Sequence, residues 1–450
     1  MTTLNVFHEA NRVGSYTKDP SGRIEFQYDS SWLDNENFPI SLTMPLQKQP
    51  YSGTIVDTFF SNLLPDDPAT REKIAEVMHT EGTDSHSLLQ ELGYDCVGAF
   101  QFLPEGDKPK DPGIIEAEPL TDEDIVTTLN NLEYIPLGVE REQPFRISLA
   151  GQQAKTAFLR WDNEWLRPLK STPTSHIFKP QINNPYLHHT AENEWFCMEF
   201  ARRLSLPIPD LTLKTFGDQT VLIVKRFDRI IDESNQSIHR IHQEDFCQIL
   251  GRPHTKKYEQ TEEDERLVEQ CLNKLRTSNR IRDDQALFIK GQIVQWLLGA
   301  GDGHLKNYSF FLSGPNQYRL TPFYDIMSNE PYDQDNPKAI LQVHEGLRKS
   351  YPADLAFGLG PQGHTTPDNI HPEDFRALEA HTLLTKDEID QILQGIHQTL
   401  DKTVHQLKHE VNDTVPDSIL EPILHGIIQR RQVLEKEYGP AGDQTPGTNG

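Results

Sequence analysis

The sequence has little cysteine, no long hydrophobic run and a deficit of positive charge. Four cysteines, Cys96, Cys197, Cys247 and Cys271, occur in 450 residues, and none belongs to a Cys-x-x-Cys pair. This scarcity argues against a disulfide framework and against a cysteine zinc site, and it predicts reduced thiols in apolar surroundings.

Hydrophobic runs are too short for a membrane span, because nowhere do 18 apolar residues follow one another. The first ten residues also lack the basic segment and apolar run of a secretory signal.

Positive charge is scarce, since the chain has 43 Lys and Arg residues but 68 Asp and Glu residues, which gives a formal charge of −25. Such an excess of negative charge excludes unspecific adhesion to nucleic acid or to an anionic membrane as the main activity, although it allows a basic partner. We expect a soluble, cytoplasmic protein that does not bind membranes.

The hydrophobic content is sufficient for a large core. Apolar residues make up 36% of the chain and charged residues 25%, with 21 Phe, 13 Tyr and 5 Trp. This composition excludes wholesale disorder, and the length predicts two or three domains.

Residues 4–103 have the pattern of a mixed α/β unit. Strands are predicted at Leu4 to Phe7, Ile24 to Tyr28 and Val97 to Leu103, and helices after Ile55 and after Ala69. The following segment, Pro104 to Gly113, is dense in Pro, Gly and charge without a hydrophobic period, which is typical of a linker.

The middle of the chain predicts a small antiparallel lobe that carries one helix, Ala191 to Leu204. The predicted strands are Phe145 to Ala150, Thr156 to Trp161, the stretch from Trp165, Ser175 to Lys179, Leu211 to Phe216 and Val221 to Phe227. Gly217-Asp218 marks a hairpin between the last two.

After Gln243 the pattern becomes mainly helical. The predicted helices are Asp284 to Gly299, Pro372 to Glu379, Asp387 to Leu400 and Asp417 to Glu437, the last with Asp417 or Ser418 as N-cap. A strand pair, Tyr308 to Leu312 and Tyr318 to Thr321, is joined by Gly314-Pro315-Asn316, and the tail Pro440 to Gly450 is predicted to be disordered.

The most informative stretch, Gly301-Asp302-Gly303-His304-Leu305-Lys306-Asn307, follows the apolar helix directly. Asp302 and Asn307 have the spacing of the protein-kinase catalytic loop, in which the Asp accepts the hydroxyl proton of the substrate and the Asn holds a magnesium ion. An Asp-x4-Asn pair alone is weak, because a chain of this length contains roughly one by accident.

The residues after this pair strengthen the interpretation. The predicted strand pair leads to Asp325, and kinases present their second magnesium ligand after such a hairpin. One or two carboxylates or amides, with phosphate oxygens and water, are enough for magnesium, so Asp325 and Asn307 would suffice. A turn cap or an ordinary ion pair is the alternative for Asp325.

Lys179 lies on a predicted strand just before the helix that contains Glu192 and Glu194. A strand lysine paired with a carboxylate of the next helix orients ATP phosphates in kinases, whereas an isolated lysine is more often a surface residue. The segment from Ser148 to Lys155 could hold phosphates through backbone N–H groups, but it contains one glycine and matches no glycine-rich phosphate motif.

Two other chemistries find no support. The pairs His239/His242 and His405/His409 have no third ligand nearby, so solvated or capping histidines are favoured over a metal site. No Gly-x-Ser-x-Gly elbow is present, so esterase chemistry is not indicated.

Eight stretches together resemble the HipA family, the serine/threonine kinase toxins of bacterial HipA–HipB toxin–antitoxin modules. They occur in family order over nearly the whole chain: Ile40 to Leu46, Asn62 to Asp66, Phe145 to Ala157, Glu192 to Glu194, Arg226 to Asp228, His242 to Gln248, Asp302 to Asn307 and Arg319 to Ile326. The resemblance implies an α+β, bilobal protein-kinase-like fold with an N-terminal mixed α/β subdomain and a mostly helical C-terminal lobe. Its implied boundaries are 1–110 for the N-terminal subdomain, 111–240 for the kinase N-lobe, 241–438 for the helical C-lobe and 439–450 for a disordered tail.

The resemblance also implies a role for individual residues. Asp302 would be the catalytic base, Asn307 and Asp325 would hold magnesium, and Ser148 would be the autophosphorylated serine of a mobile phosphate loop. Phosphorylation of Ser148 would place nearly two negative charges where ATP phosphates bind, so the loop would leave and activity would stop. The residues implied to bind ATP are Ala150, Gly151, Gln152, Gln153, Ala154, Lys155, Lys179, Lys225, Phe227, Asp228, Gln243, His304, Lys306, Asn307 and Asp325. Within this set Lys179 and His304 would meet phosphates, Asp228 the ribose, and the backbone around Lys225 and Phe227 the adenine.

Two positions depart from the family pattern, since Ala154 and Lys225 stand where acidic residues are expected. A backbone contact to adenine would tolerate Lys225, and the change at Ala154 makes a phosphate contact of Lys155 less certain.

The implied function is that of a Mg·ATP-dependent serine/threonine kinase toxin. The resemblance implies an aminoacyl-tRNA synthetase, glutamate–tRNA ligase, as substrate, and a HipB-like helix-turn-helix antitoxin through which operator DNA is reached. Two alternatives remain at this stage: a scaffold that mainly strengthens repression by the antitoxin, and a kinase of small molecules with the same Asp/Asn/Asp core.

Overall fold

The first hundred residues form the N-terminal unit, which is built on a five-stranded antiparallel sheet. In spatial order its strands are Tyr51–Ser52, Ile24–Tyr28, Asn11–Lys18, Thr2–His8 and Phe100–Pro104. Its helices are Ser30–Asp34, Thr54–Ser61, Pro68–Met78 and Ser85–Leu92. The computed structural model describes residues 1–35, 38–259, 266–314, 317–332, 354–411 and 413–439.

The predicted elements of the N-terminal unit are present, with one displaced boundary. The last strand begins at Phe100 rather than at Val97. Gly98 has φ 79°, a left-handed conformation that glycine adopts without strain, and it donates its N–H to the Asp228 carboxylate at 2.8 Å. The backbone at this point is therefore bound to the next part of the chain instead of to the sheet.

The middle lobe contains a six-stranded antiparallel sheet. An antiparallel lobe with one helix was predicted, but its edge strand Ala117–Pro119 and a second helix, Asp122–Asn131, were not. Its strands, in spatial order, are Leu211–Phe216, Gln219–Lys225, His176–Pro180, Thr156–Trp161, Glu164–Pro168 and Ala117–Pro119. Successive side chains of a strand point to opposite faces, so Val221 and Ile223 pack with helix Asp122–Asn131, whereas Leu222 and Val224 pack with helix Thr190–Arg203.

The predicted strand Phe145 to Ala150 is wrong, because residues 144–150 have no regular secondary structure and no ladder pairing. The alternating apolar residues Phe145, Ile147 and Leu149 are buried in the core of the N-terminal unit. Ser148 donates its backbone N–H to Asp95 O at 2.9 Å. The period of two therefore reflects burial against the N-terminal unit, not membership of a sheet.

The helical lobe follows a two-stranded hairpin formed by Arg229–Asp232 and Ser237–Arg240. Its small sheet contains Gln243–Asp245, Ser309–Leu312 and Tyr318–Leu320. Its helices are Phe246–Ile249, Leu267–Lys274, Ile281–Leu298, Pro372–Arg376, Lys386–Glu410 and Asp417–Tyr438. The central helix, Ile281–Leu298, is buried in the largest core cluster and ends at Gly299, whose φ of 60° caps it.

Several details of the helical lobe differ from the prediction. Strand Gln243–Asp245 and helices Phe246–Ile249 and Leu267–Lys274 were not predicted, and the helix predicted to reach Glu379 ends at Arg376. Helix Lys386–Glu410 extends ten residues beyond Leu400, and Pro416, not Asp417 or Ser418, is the N-cap of the last helix. Residues Pro315 and Asn316 of the predicted turn and the tail Pro440 to Gly450 lie outside the described residues.

The predicted linker, Pro104 to Gly113, has no regular structure after Pro104 but is bound to its surroundings. Lys110 N–H donates to Ser171 Oγ at 3.1 Å, and Ile238 N–H donates to Pro112 O at 3.2 Å. All four cysteines are buried and unpaired. Across the described ranges we find no helix with the length and hydrophobicity needed to cross a bilayer.

Candidate active site

A cavity of about 500 Å³ opens where the middle lobe, the helical lobe and the N-terminal unit meet. The structure brings to this cavity Asp302 and all fifteen residues predicted to bind ATP: Ala150, Gly151, Gln152, Gln153, Ala154, Lys155, Lys179, Lys225, Phe227, Asp228, Gln243, His304, Lys306, Asn307 and Asp325. Its volume lies within the range typical of small-molecule sites.

Lys179 joins the two lobes across this cavity. Its strand pairs with Gln219–Lys225, which places Lys179 opposite Leu222, and its Nζ lies 2.6 Å from Glu194 Oε1 and 2.6 Å from Asp325 Oδ1. Burial opposes the charge of Lys179, but the carboxylates of Asp325 and Glu194 raise its pKa above the ordinary value. The lysine is therefore held as a cation between the helix of the middle lobe and the loop that carries Asp325.

Asn307 connects the other two groups of the predicted kinase core. Its Nδ2 donates to Asp302 O at 2.6 Å and to Asp325 O at 3.4 Å. Because the amide nitrogen is used in this way, the amide oxygen could serve as a metal ligand. Asp325 has φ 59°, a left-handed conformation that is uncommon for non-glycine residues and frequent at functional sites.

The side chain of Asp302 is held by Tyr258 and lies near His304. Tyr258 Oη donates to Asp302 Oδ1, and His304 Nε2 lies 3.8 Å from the same oxygen. The rings of Tyr258 and His304 meet edge to face with centroids 5.0 Å apart. Burial lowers the pKa of His304 to about 4, so His304 is neutral near pH 7 and could contact phosphate only as an N–H donor.

The donor set suits a magnesium nucleotide. Asn307 and Asp325 carry oxygen atoms of the kind that Mg²⁺ prefers and could hold this ion. His304 Nδ1 and Gln243 Oε1 are buried atoms of cavity residues without a hydrogen-bond partner in the described part of the chain, so a polar ligand could satisfy both. Within the described ranges, no group of three or more His, Cys, Asp or Glu residues could hold a metal by itself, but a kinase-type magnesium site also uses phosphate oxygens and water.

The predicted phosphate loop forms one wall of the cavity. Gly151 has φ 98°, and a Cβ at this position would lie 2.6 Å from Lys155 Nζ, so the turn requires glycine. Lys155 Nζ donates to Ala150 O at 2.9 Å. Burial and the neighbouring Lys179 lower the pKa of Lys155 to about 8.

Ser148 does not line the cavity. Its side chain is buried, and its Oγ donates to Leu63 O at 2.7 Å. Phosphorylation of Ser148 therefore requires this part of the loop to move, and its predicted modification stays a prediction.

Two of the predicted nucleotide contacts are engaged within the protein. Asp228 accepts from Arg226 Nε at 2.9 Å, and its other oxygen accepts from Gly98 N–H at 2.8 Å and from Gln243 Nε2 at 3.2 Å. Lys306 Nζ donates to Asn62 O, to Asn62 Oδ1 and to Asp245 Oδ2, all within 3.0 Å. The geometry favours structural roles for both residues, so their contacts to ribose and phosphate stay predictions.

Lys225 and Phe227 flank the expected adenine position. The Lys225 side chain is exposed, with its Nζ 3.3 Å from Asp210 Oδ2, which agrees with a contact through backbone rather than side chain. The ring of Phe227 lies 5.6 Å from that of Tyr324.

Sequence reasoning missed several cavity residues. Apolar side chains come from Ile177, Met198, Val224 and Met327, and polar groups from the N-terminal unit, including Asn62 and Asp67. The stretch Asn62 to Asp66 is one of the eight that resemble the family, but the resemblance implied no role for it. The sequence carries no signal for the contact between Tyr258 and Asp302.

The fold and the site define this protein as kinase-like: a strand lysine, a helix carboxylate and an Asp/Asn/Asp set meet between two lobes. The family model for the HipA N-terminal domain matches residues 4–103, and that for the HipA-like C-terminal domain matches residues 147–404. The chain belongs to the HipA family. The predicted family, the α+β kinase-like fold and the kinase class are thereby confirmed.

Individual relatives agree with this family. The chain is 34% identical to the putative kinase Y4mE of Sinorhizobium fredii over 347 residues, which cover 76% of this chain and 80% of that protein. It is 29% identical to the serine/threonine-protein kinase toxin HipA of Shewanella oneidensis, over 71% of this chain and 73% of the toxin. Among solved structures, the S. oneidensis HipA in complex with HipB and operator DNA matches with a TM-score of 0.75 and 22% identity, over 97% of this chain and 98% of that one. The last likeness concerns the fold.

Proposed function

We propose that this protein is a Mg·ATP-dependent protein serine/threonine kinase that acts as the toxin of a HipA–HipB module. The observation that carries the proposal is the chain of contacts from Glu194 through Lys179 to Asp325, and from Asp325 through Asn307 to Asp302. These contacts support the proposal because a kinase needs groups that orient phosphates, hold the metal and accept a proton around one cavity. We also place the domain boundaries near residues 110 and 240, since the first sheet ends at Pro104 and the small sheet of the helical lobe begins at Gln243.

In this proposal each group has a distinct task. Lys179 and Lys155 orient the phosphates, and the apolar residues Ile177, Val224 and Met198 enclose the base. Asp302, held by Tyr258, accepts the proton of the substrate hydroxyl as the terminal phosphoryl group is transferred to its oxygen. When bound, magnesium neutralises negative charge on the phosphates, and Asn307 and Asp325 would hold it.

Transfer of the terminal phosphate from γ-labelled ATP tests the kinase assignment. We expect the protein to label itself on Ser148, and the Asp302→Asn variant to lose labelling by at least a hundredfold, because no base accepts the proton. Asp390→Asn is a matched control, since this carboxylate pairs with Arg376 and Tyr438 in the helical lobe, away from the cavity. Equal labelling in wild type and Asp302→Asn would refute the assignment of the base.

The proposed protein substrate is an aminoacyl-tRNA synthetase, glutamate–tRNA ligase, and support for it comes from membership of the family. We expect purified glutamate–tRNA ligase to gain phosphoserine when incubated with this protein and Mg·ATP. Labelling of other proteins in a cell extract, but not of the ligase, would show that the substrate is a different protein. If only a small molecule is labelled, the protein is a metabolite kinase.

A second role, as co-repressor with a HipB-like antitoxin, is favoured by the solved complex of the S. oneidensis relative with HipB and operator DNA. The charge of −25 suggests that DNA is reached mainly through the antitoxin. We expect the antitoxin to bind its operator more tightly when this protein is added, and the Asp302→Asn variant to keep this effect. Operator affinity that is unchanged by the protein would refute the co-repressor role while leaving the kinase assignment intact.

A further inference from the structure

Residues 62–66 of the N-terminal unit, which we call the bridging segment, contact both loops of the proposed active site. The segment begins immediately after helix Thr54–Ser61. It lies outside the matched C-terminal family domain, residues 147–404, which contains every group assigned above to phosphoryl transfer. Its contacts therefore bring a residue of the N-terminal domain to the site.

The first set of contacts is with the phosphate loop. Leu63 O accepts from Ser148 Oγ at 2.7 Å, and Asp66 N–H donates to Gly151 O at 3.2 Å. Pro65 and Gly151 form a parallel β-bridge. The bridging segment thus holds the phosphate loop in the cavity wall.

The second set of contacts is with the loop that carries Asp302 and Asn307. Asp66 Oδ2 lies 3.0 Å from Lys257 Nζ, and Asp66 Oδ1 lies 3.7 Å from Lys306 Nζ. Asn62 accepts two further hydrogen bonds from Lys306, at 2.9 and 3.0 Å. The three side chains of this cluster, Asp66, Lys257 and Lys306, are each at most 7% exposed.

Each lysine lies next to a residue that reaches the reacting groups. Lys306 precedes Asn307, whose amide joins Asp302 and Asp325. Lys257 precedes Tyr258, which donates to Asp302 Oδ1, and Lys257 O accepts from Leu305 N–H at 3.2 Å. Displacement of either lysine would therefore shift the metal ligand or the base.

Charge makes Asp66 the central member of the cluster. Although burial opposes its ionisation, Lys306 and Lys257 lower the pKa of Asp66 well below its ordinary value, so it is an anion at neutral pH. Loss of a partner from a buried ion pair leaves an uncompensated charge, which the surrounding structure accommodates by moving. Lys306 would retain Asp245 at 2.9 Å, whereas Lys257 would lose the carboxylate with which it pairs.

We propose that Asp66 is a positioning residue for phosphoryl transfer, which acts through Lys257 and Lys306 on the loop that carries Asp302 and Asn307. The proposal rests on the kinase function proposed above. Asp66 itself touches neither substrate nor metal, so its removal should slow the transfer step and leave nucleotide binding nearly unchanged.

The Asp66→Asn variant tests this role, because it removes the charge and keeps the shape. Steady-state kinetics on dephosphorylated full-length protein should show kcat lowered about tenfold to a hundredfold, with the KM and the calorimetric Kd for Mg·ATP changed less than threefold. Asp390→Asn, the matched control, removes a carboxylate paired with Arg376 in the helical lobe and should leave kcat unchanged. A kcat of Asp66→Asn equal to that of this control would overturn the proposal.

A double variant tests whether Asp66 acts through Lys257, and urea unfolding separates this positioning role from lost stability. Residues that act as one unit are not additive, so Asp66→Asn combined with Lys257→Met should be no slower than the slower single variant. If kcat of the double variant is lowered by the product of the two single-variant factors, Asp66 does not act through Lys257. Each variant is assayed at a temperature at which urea unfolding shows it to be at least 99% folded.

Comparison of the wild type, Asp302→Asn and Asp66→Asn distinguishes failure of the proposed function from failure of the positioning role. If the wild type transfers no phosphate from ATP, the proposed function fails, and if Asp302→Asn remains active, the assignment of the base fails. If Asp302→Asn is inactive and Asp66→Asn keeps the kcat of the control, only the positioning role fails.

Discussion

At the scale of single residues, the two lysines of the cavity differ in charge environment. Lys179 lies between Glu194 and Asp325, which hold it protonated. Lys155 donates to a backbone carbonyl instead, and burial lowers its pKa to about 8. Lys155 is therefore the cation whose charge changes near physiological pH.

This difference predicts a pH dependence of nucleotide binding. Lys155 is charged below its pKa and neutral above it, so affinity for the ATP phosphates should fall as the pH rises through 8. Protonation declines about tenfold between pH 7 and pH 9, and we expect calorimetry to show a similar loss of Mg·ATP affinity. The Lys155→Arg variant, whose guanidinium stays charged, should show a nearly flat profile. The same steep profile in Lys155→Arg would contradict the assignment.

At the scale of elements, the phosphate loop depends on the N-terminal unit rather than on a sheet of its own lobe. Its apolar residues Phe145, Ile147 and Leu149 are buried in the N-terminal core, and Ser148 is bonded to Leu63 and Asp95. The β-bridge of Gly151 is with Pro65 of the N-terminal unit, so the loop can be displaced without unfolding the middle sheet.

A negative charge at position 148 should expel the loop. In the Ser148→Asp variant a carboxylate would lie in a site with no solvent exposure, facing Leu63 O, so we expect the loop to leave and Mg·ATP affinity to fall at least tenfold. Ser148→Ala loses one hydrogen bond, about 1 kcal/mol, and should keep nucleotide affinity. Calorimetry measures the binding, and limited proteolysis at residues 148–155 reports the loop. If Ser148→Asp binds Mg·ATP as tightly as the wild type, negative charge at position 148 does not control nucleotide binding.

At the scale of the whole molecule, one buried carboxylate joins the N-terminal unit to the middle lobe and to the hairpin that precedes the helical lobe. Asp95 of the N-terminal unit accepts from Thr174 of the middle lobe and pairs with Arg226, Arg229 and Arg240, which lead into the helical lobe. Burial opposes its charge, but the three guanidinium groups lower the pKa of Asp95 to about 2. The stability it contributes is therefore present above the ordinary carboxyl pKa near 4 and is lost as the pH falls through about 2.

Removal of this charge should destabilise the protein strongly. We expect Asp95→Asn to lower the free energy of unfolding by about 3–5 kcal/mol, because three buried cations lose their common partner. Glu421→Gln, at the exposed pair with Lys408, should change it by less than about 1 kcal/mol. Urea unfolding at pH 7 provides the comparison. A loss in Asp95→Asn no larger than that in Glu421→Gln would show that the cluster contributes little to stability.

The net charge of −25 also affects nucleotide binding. The residues that line the cavity include six Lys or Arg residues and six Asp or Glu residues, so their formal charges cancel and, without magnesium, the phosphates meet no excess of positive charge. We expect ATP affinity to fall more than tenfold in EDTA. The difference between ATP affinity with and without magnesium should be smaller in Asp325→Asn, because this substitution removes both a metal ligand and a charge that repels the phosphates. Equal affinity of the wild type with and without magnesium would count against the proposed ligand set.

Much of the fold followed from local patterns. The periodicities predicted five of the six strands of the middle sheet, the helix Thr190–Arg203 and the central helix to within a few residues, since alternation and caps are encoded by neighbouring residues. The segment Phe145 to Ala150 was mistaken for a strand because its alternation arises from burial against another unit, which no local pattern records.

The sequence by itself determined the family, the kinase-like fold and the identity of the polar groups around the cavity, because these depend on short motifs with fixed spacing. Only the tertiary structure decided which of these groups are engaged within the protein, and that the N-terminal unit supports both loops. Asp66 is 240 positions from Lys306 and 191 from Lys257, yet the three lie together in one buried cluster. Contacts between residues so distant along the chain, like the one between Tyr258 and Asp302, arise from packing of whole units, and local sequence does not specify them.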